Sequence, residues 1–156
     1  MPLQVIGIPH SVQSNIVALP QGGPGTSNLF AVTGDVYVYQ ITGAVTVAIG
    51  AVANATKLTA VCGALTGVDL CATTDINGLA AGYIFSPITT LATAMGNNAN
   101  GVLVNVGAAV GFIMGCGTTG AGIIRVSCAG ADGGTGRVRW TCSYIPLSSG
   151  SQIVSS

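Results

Sequence analysis

The stretch Gly136-Arg137-Val138-Arg139-Trp140-Thr141-Cys142-Ser143-Tyr144-Ile145 decides the fold. Arg137, Arg139, Thr141 and Ser143 alternate with Val138, Trp140, Cys142 and Tyr144, which is the period-two signature of a strand with one wet and one packed face. It holds two of the chain's four basic residues and its only tryptophan. The sheet built around this strand is therefore the frame to which the other segments are fitted.

Working outward, the loop Gly130–Gly136 (GADGGTG) delivers the chain to that strand. Before it, GIIRVSCAG sets Ile124, Val126 and Cys128 against Ile123, Arg125 and Ser127, and GVLVNVG and VGFIMGCG read as further β-type runs. In LFAVTGDVYVYQI, Val36 and Val38 share one face while Asp35, Tyr37 and Tyr39 share the other. Gly43 reads as a turn into AVTVAIG, where Val45, Val47 and Ile49 oppose Ala44, Thr46 and Ala48. TKLTAVCG alternates again, Asn77 and Gly78 signal a turn, Pro87 marks a strand edge or end, and LATAMGNNAN reads as one helical turn followed by a polar loop. About nine short strands with turns every 8 to 12 residues predict an all-β fold, a single β-sandwich or jelly-roll-like domain.

Residues 1–27 carry Pro2, Pro9, Pro20 and Pro24 among several glycines, yet Val5, Ile6, Ile8, Val12, Ile16, Val17 and Leu19 are too apolar for a solvated tail. The reading is an extended N-terminal arm, lying either on a neighbouring molecule or back on its own domain. Residues 28–147 are then the sandwich and 148–156 a small-residue tail. The start of the chain lacks a basic and apolar secretory pattern, so folding in a reducing cytoplasm is expected.

The ionic inventory limits function. Charged residues are 5% of the 156, there is no glutamate, and the formal net charge is zero, against about 25% charged in an ordinary soluble domain. Such a chain lacks the field that steers nucleic acid, and a neutral, charge-poor surface favours association. His10 beside Ser11 is not a nucleophile–base arrangement, and no GxSxG, P-loop or HExxH motif occurs. Asp69 and Asp75 have neither the number nor the spacing of a calcium loop, and read as turn residues. The inventory argues against an enzyme and implies no cofactor, metal or small-molecule substrate.

The five cysteines, Cys62, Cys71, Cys116, Cys128 and Cys142, include no CxxC pair and read as buried free thiols. A mean hydropathy of +0.70 raises a membrane reading. Gly101–Ile124 is long and uncharged enough to span, but Asn105, dense glycine and the lack of a basic flank oppose it. Arg137 and Arg139 lack the interleaved aromatics of a nucleic-acid platform, and their planar forks suit carboxylates on a protein neighbour. The bland alternative is a charged row that keeps one sheet face soluble.

GRVRWTCSYIPLSSGSQIVSS (136–156), with ITGAVTVAIGAVANATKLTA (41–60) and VDLCATTDINGLAAGYIFS (68–86), resembles the small β-rich structural proteins that decorate or cement the heads of tailed bacteriophages. The resemblance implies a virion protein made in the host cytoplasm. It would be a homotrimer on the outer capsid surface, bridging units of the major capsid protein without nucleic acid or membrane. The interface residues expected on the residue reading are Val5, Ile6, Ile8, Val12, Ile16, Val17, Arg137 and Arg139. A carbohydrate- or receptor-binding module of a fibre or tail is the alternative, with Tyr37, Tyr39 and Tyr83 as stacking surfaces.

Overall fold

A strand whose alternate side chains are apolar needs a second layer to bury them against, and this chain supplies one from its own length. The computed structural model describes residues 7–19, 24–52, 54–63, 67–87, 95–98, 111–116, 121–130 and 136–156. These form twelve strands: β1 (His10–Ala18), β2 (Gly25–Thr33), β3 (Asp35–Val47), β4 (Ala55–Cys62), β5 (Val68–Asp69), β6 (Thr74–Asp75), β7 (Ile84–Pro87), β8 (Met95–Asn98), β9 (Phe112–Gly115), β10 (Gly122–Cys128), β11 (Arg137–Pro146) and β12 (Gln152–Ser155). No helix occurs among the described residues, hence none long and apolar enough to cross a membrane.

All pairings are antiparallel, in two sheets ordered β1-β11-β3-β7-β8, with β9 also on β3, and β12-β2-β10-β4-β5, with β6 also on β4. The sheets pack face to face as a β-sandwich. The topology is that of a long hairpin rolled up: β1 pairs β11, β2 pairs β10, β3 pairs β7 and β4 pairs β5. With β12 added as an extra edge strand on β2, the pairing of β1 with β11, β2 with β10 and so inward is the wrapping of a jelly roll.

The two inner faces meet in one core. Val138, Trp140, Cys142 and Tyr144 of β11 are buried, as are Ile124, Val126 and Cys128 of β10, and Val36 and Val38 of β3. Each of these runs follows the alternation read from the sequence. Trp140 packs edge-on against Phe85, with ring centroids 5.1 Å apart and planes at 69°. Both rings are fully buried, which makes the pair the largest aromatic volume in the core.

Where the sequence reading fails, a bulge or a close approach is the cause. Gly43 is not a turn; β3 runs through it, opposite Trp140 and Phe85. A Cβ there would lie 2.6 Å from Phe85 Cε2 and 2.9 Å from Trp140 Cζ3, so glycine is required by ring packing and not by chain reversal. A register shift at Tyr39 also moves the inward set of β3 from Val36 and Val38 to Ile41 and Val45. A second shift, at Thr46, then turns Val47 out of the face it was read to share with Val45 and Ile49, and it is 40% exposed.

Of the arm read over residues 1–27, the described residues 7–19 lie back on the chain's own domain, one of the two alternatives, and do so as a regular strand. Between Pro9 and Pro20 lies a proline-free run, and His10–Ala18 joins the first sheet as edge strand β1, where flanking prolines are tolerated. Its register shifts between Gln13 and Ile16, where Ser14 Oγ accepts the Trp140 N–H at 3.1 Å and donates to the Asn15 carbonyl at 2.7 Å. The bulge lets Val12, Val17 and Leu19 all turn inward despite their uneven spacing.

Residues 24–27 belong to β2 and its approach. The tail at 148–156 is likewise ordered, since β12 pairs β2 and buries Ile153. Asn15 N–H donates to Ser155 Oγ at 3.2 Å, tying the two edge strands β1 and β12 together across the sheets. Met95–Asn98 is a strand and not part of a helical turn. The run at 101–107 and residues 131–135 of the loop at 130–136 lie outside the described residues.

Gly43→Ala is expected to cost about 1–3 kcal/mol by overpacking against the ring pair, and Phe85→Leu in the same chain to return part of that loss. Urea midpoints of the single and double variants check this. A Gly43→Ala protein as stable as the parent shows that the rings do not set position 43.

Candidate functional site

The outward side chains of the first sheet form a face that is almost free of ions. Following the register, Ala18, Arg137 and Val47 make one row and Ile16, Arg139, Ala44 and Ile84 the next. Gln13, Thr141 and Thr42 follow, then Ser11, Ser143 and Gln40, and the far end is Ile145, Tyr37 and Ile113. The face thus runs from two arginines set among aliphatic residues, through a neutral band of hydroxyls and amides, to an aromatic and aliphatic end.

Arg137 and Arg139 are both exposed, and neither guanidinium has a hydrogen-bond or ion-pair partner among the described residues. Their neighbours Ile16 and Val47 are 44% and 40% exposed. The other sheet is arranged differently. On its outer face Lys57 Nζ meets Asp69 Oδ2 at 2.7 Å, and Arg125 Nε donates to Thr59 Oγ1 at 3.1 Å. Asp75 is also engaged, its Oδ1 accepting the N–H groups of Asn54 at 2.9 Å and Asn77 at 3.1 Å, which closes the Asn77-Gly78 turn.

Of the expected interface residues, the fold brings Ile16, Arg137 and Arg139 together on one patch. Ile8 is exposed at the end that precedes β1, away from the arginines in register. Val12 and Val17 turn the other way and pack on the core, so they are structural. Val5 and Ile6 lie outside the described residues. Tyr37 and Tyr39 both stand half-buried on the outward side of β3, whereas Tyr83 packs against the core cluster and does not share their face. Val47, Ile113 and Ile145 were not legible as face residues, because only the cross-strand register assigns them.

One imidazole and one indole nitrogen of this sheet, His10 Nε2 and Trp140 Nε1, are buried and make no hydrogen bond among the described residues. His10 stacks on Tyr144 with centroids 5.5 Å apart and planes at 26°, which holds the start of β1 against the sheet.

The cysteines divide into two kinds, correcting the expectation that all five are free. Cys62, at the end of β4, is joined by a disulfide to Cys116, just beyond β9. Cys71, Cys128 and Cys142 are buried thiols outside any disulfide. Burial pushes the Cys142 thiol up to about 12. Burial also raises Cys71, against a lowering contribution from the Leu58 N–H that donates to its sulfur. Neither is a nucleophile at neutral pH, since the thiolate is the reactive form. Among the described residues no three His, Cys or Asp side chains gather as a metal site.

No protein-family model matches the chain, and neither a curated protein nor a solved structure shows significant similarity to it.

The Cys142 shift sets an alkaline limit on stability. The fold favours the neutral thiol, so this contribution is complete below the ordinary value of 9.0 and is lost as pH rises from there towards about 12. Urea midpoints between pH 8 and pH 11 are expected to fall, and Cys142→Ala to give a lower plateau with a shallower fall. A variant curve parallel to the parent's would remove Cys142 as the cause.

Proposed function

We propose that this chain is a structural virion protein of the cement type, binding the outer surface of a phage capsid as a homotrimer and bridging neighbouring units of the major capsid protein. The observation that carries the reading is the patch of Arg137 and Arg139, two guanidiniums without a partner among the described residues, beside exposed Ile16 and Val47. A guanidinium fork on a flat strand face presents parallel donors that fit a carboxylate. Surrounding aliphatic groups exclude water when a partner seats, which strengthens such a pair.

The jelly-roll wrapping is in keeping with this, since viral shell domains use it, although the same architecture serves lectins. Mechanistically, a subunit that binds only the assembled lattice stabilises it by mass action. The chain does no chemistry in this reading. With one histidine and no glutamate its sequence offers little for general acid and base catalysis.

One observation favours the second reading, a carbohydrate- or receptor-binding module. Tyr37 and Tyr39 lie beside the neutral band of Gln40, Ser143, Thr141 and Thr42, a combination of ring faces and hydroxyl or amide groups that suits a glycan.

Purified chain added to heads that lack it is expected to bind saturably and raise their thermal resistance, and its mass in mild buffer to be three times the 15.3 kDa of one chain. Arg137→Ala with Arg139→Ala should weaken head binding at least tenfold, about 1.4 kcal/mol, and flatten its salt dependence. Unchanged binding with unchanged salt dependence removes the patch as the contact. Specific glycan binding that is lost in Tyr37→Ala with Tyr39→Ala, without head binding, selects the second reading.

A further inference from the structure

We propose that Cys62 and Cys116 are a redox clip that closes on an already folded sandwich by exchange with a small-molecule disulfide and thereby fixes β9, completing the aromatic end of the outer face. The proposal is independent of the virion reading, because its test needs only the purified chain.

The geometry is that of a built site. Among the described residues β9 is hydrogen-bonded to one strand, β3, over the four pairs Asp35–Gly115 to Val38–Phe112. The remaining backbone hold at this corner is the Cys116 N–H donating to the Gly34 carbonyl at 3.3 Å. Cys62 lies in the other sheet, opposite Gly122 of β10, so the disulfide joins β9 to the layer that it does not pair with. Gly122 makes this approach feasible. A Cβ there would run into Cys116 Sγ and come within 2.9 Å of Met114 Cε, so the inward position on β10 is left without a side chain where the sulfur passes.

What the clip holds is the end row of the outer face. Ile113 of β9 stands beside Tyr37 and Ile145 and is 69% exposed. Gly111, just before β9, lies against the Tyr37 ring so closely that a Cβ would meet its hydroxyl at 2.5 Å. Freeing β9 therefore loosens Tyr37 on one side. The central pairs of the fold, β11 with β3 and β10 with β2, have their own ladders along most of their length, stepped by bulges, and the bridge is not part of either.

The chemistry is selective because the five sulfurs are not equivalent. Cys62 is half-buried at a strand end, within reach of a solute, whereas Cys71, Cys128 and Cys142 are enclosed in the core. Burial keeps Cys71 and Cys142 protonated, so neither competes in exchange. The Cys62 thiolate attacks one sulfur of a small disulfide RSSR, forming Cys62–S–S–R and releasing RS⁻. The Cys116 thiolate then attacks the Cys62 sulfur, closing the protein disulfide and releasing the second RS⁻. Both electrons reduce RSSR to two thiols, and the two protein protons pass to them.

The experiment starts from chain purified and kept under reductant, then treated with oxidised glutathione. The fully reduced protein is expected to be folded, with five alkylatable thiols after denaturation, and the treated protein to show three, with peptide mapping placing the bridge at Cys62–Cys116. Hydrogen exchange at the β9 amides should slow at least tenfold on oxidation while β11 amides stay unchanged. Gly122→Ala should fold yet close the bridge at least tenfold more slowly. Cys62→Ser with Cys116→Ser should match the reduced parent in β9 exchange. The proposal is overturned if the reduced chain or that double variant is unfolded, if five thiols persist after treatment, if another pair is bridged, or if β9 exchange is indifferent to oxidation.

Discussion

The contact of Trp140 with Phe85 across Gly43 is the constraint on which the first sheet depends. Three neighbouring strands, β11, β3 and β7, meet there, and the rings close edge to face only because the middle strand contributes no side chain. The edge strand is set by the same residue from the other side, since the Trp140 N–H is received by Ser14 in the β1 bulge. One position thus fixes the register of β11 between β1 and β3. Once that register is set, the rolled hairpin has its outermost pair in place, and β2 with β10 follows as the next turn inward.

The same dependence explains what was legible in the sequence. Runs with uninterrupted alternation were readable outright: Val138 to Tyr144 in β11, Ile124 to Cys128 in β10, and Val36 with Val38 in β3 each bury the set that period two assigns. A bulge adds one residue and inverts the phase beyond it, which a period-two reading has no means of detecting. That is why Val47 was placed on the wrong side. It is also why Val12 and Val17, five apart, gave no strand pattern although both face the core. Gly43 was misread for a related reason, since a glycine demanded by two distant rings looks identical in sequence to one demanded by a turn. The Cys62–Cys116 pairing depends on a corner where β9 meets the opposite sheet, and no local pattern encodes it.

The candidate face was legible in its chemistry but not in its membership. Arg137 and Arg139 were identifiable from alternation alone, and their two-residue spacing on a strand does place them on one side. Their company was not. Ile16 comes from a strand more than a hundred residues earlier, and Val47 and Ala44 from another, so the aliphatic setting exists only once β1 and β3 flank β11. Conversely, the arm hypothesis gathered apolar residues by proximity in sequence, and the fold separates them, Val12 and Val17 inward and Ile16 outward.

The distribution of ions across the two faces carries the last step. Each sheet has one wet side, and a chain with so few charges has little freedom in where to spend them. The second sheet couples Lys57 to Asp69 and seats Arg125 on Thr59, so its charges are satisfied within the molecule. The first sheet holds two arginines with neither arrangement, although Asp35 lies at the other end of β3, next to Gly115 of β9 and not among the rows that hold the guanidiniums. Exposed cations that meet no carboxylate among the described residues keep the capacity to pair with another molecule. The packing of Val12, Val17 and Leu19 against the core takes these three apolar residues out of reach of another molecule. Ile16, Arg137 and Arg139 are the expected contact residues that the strands of the first sheet leave exposed, and the register sets them side by side on one flat face.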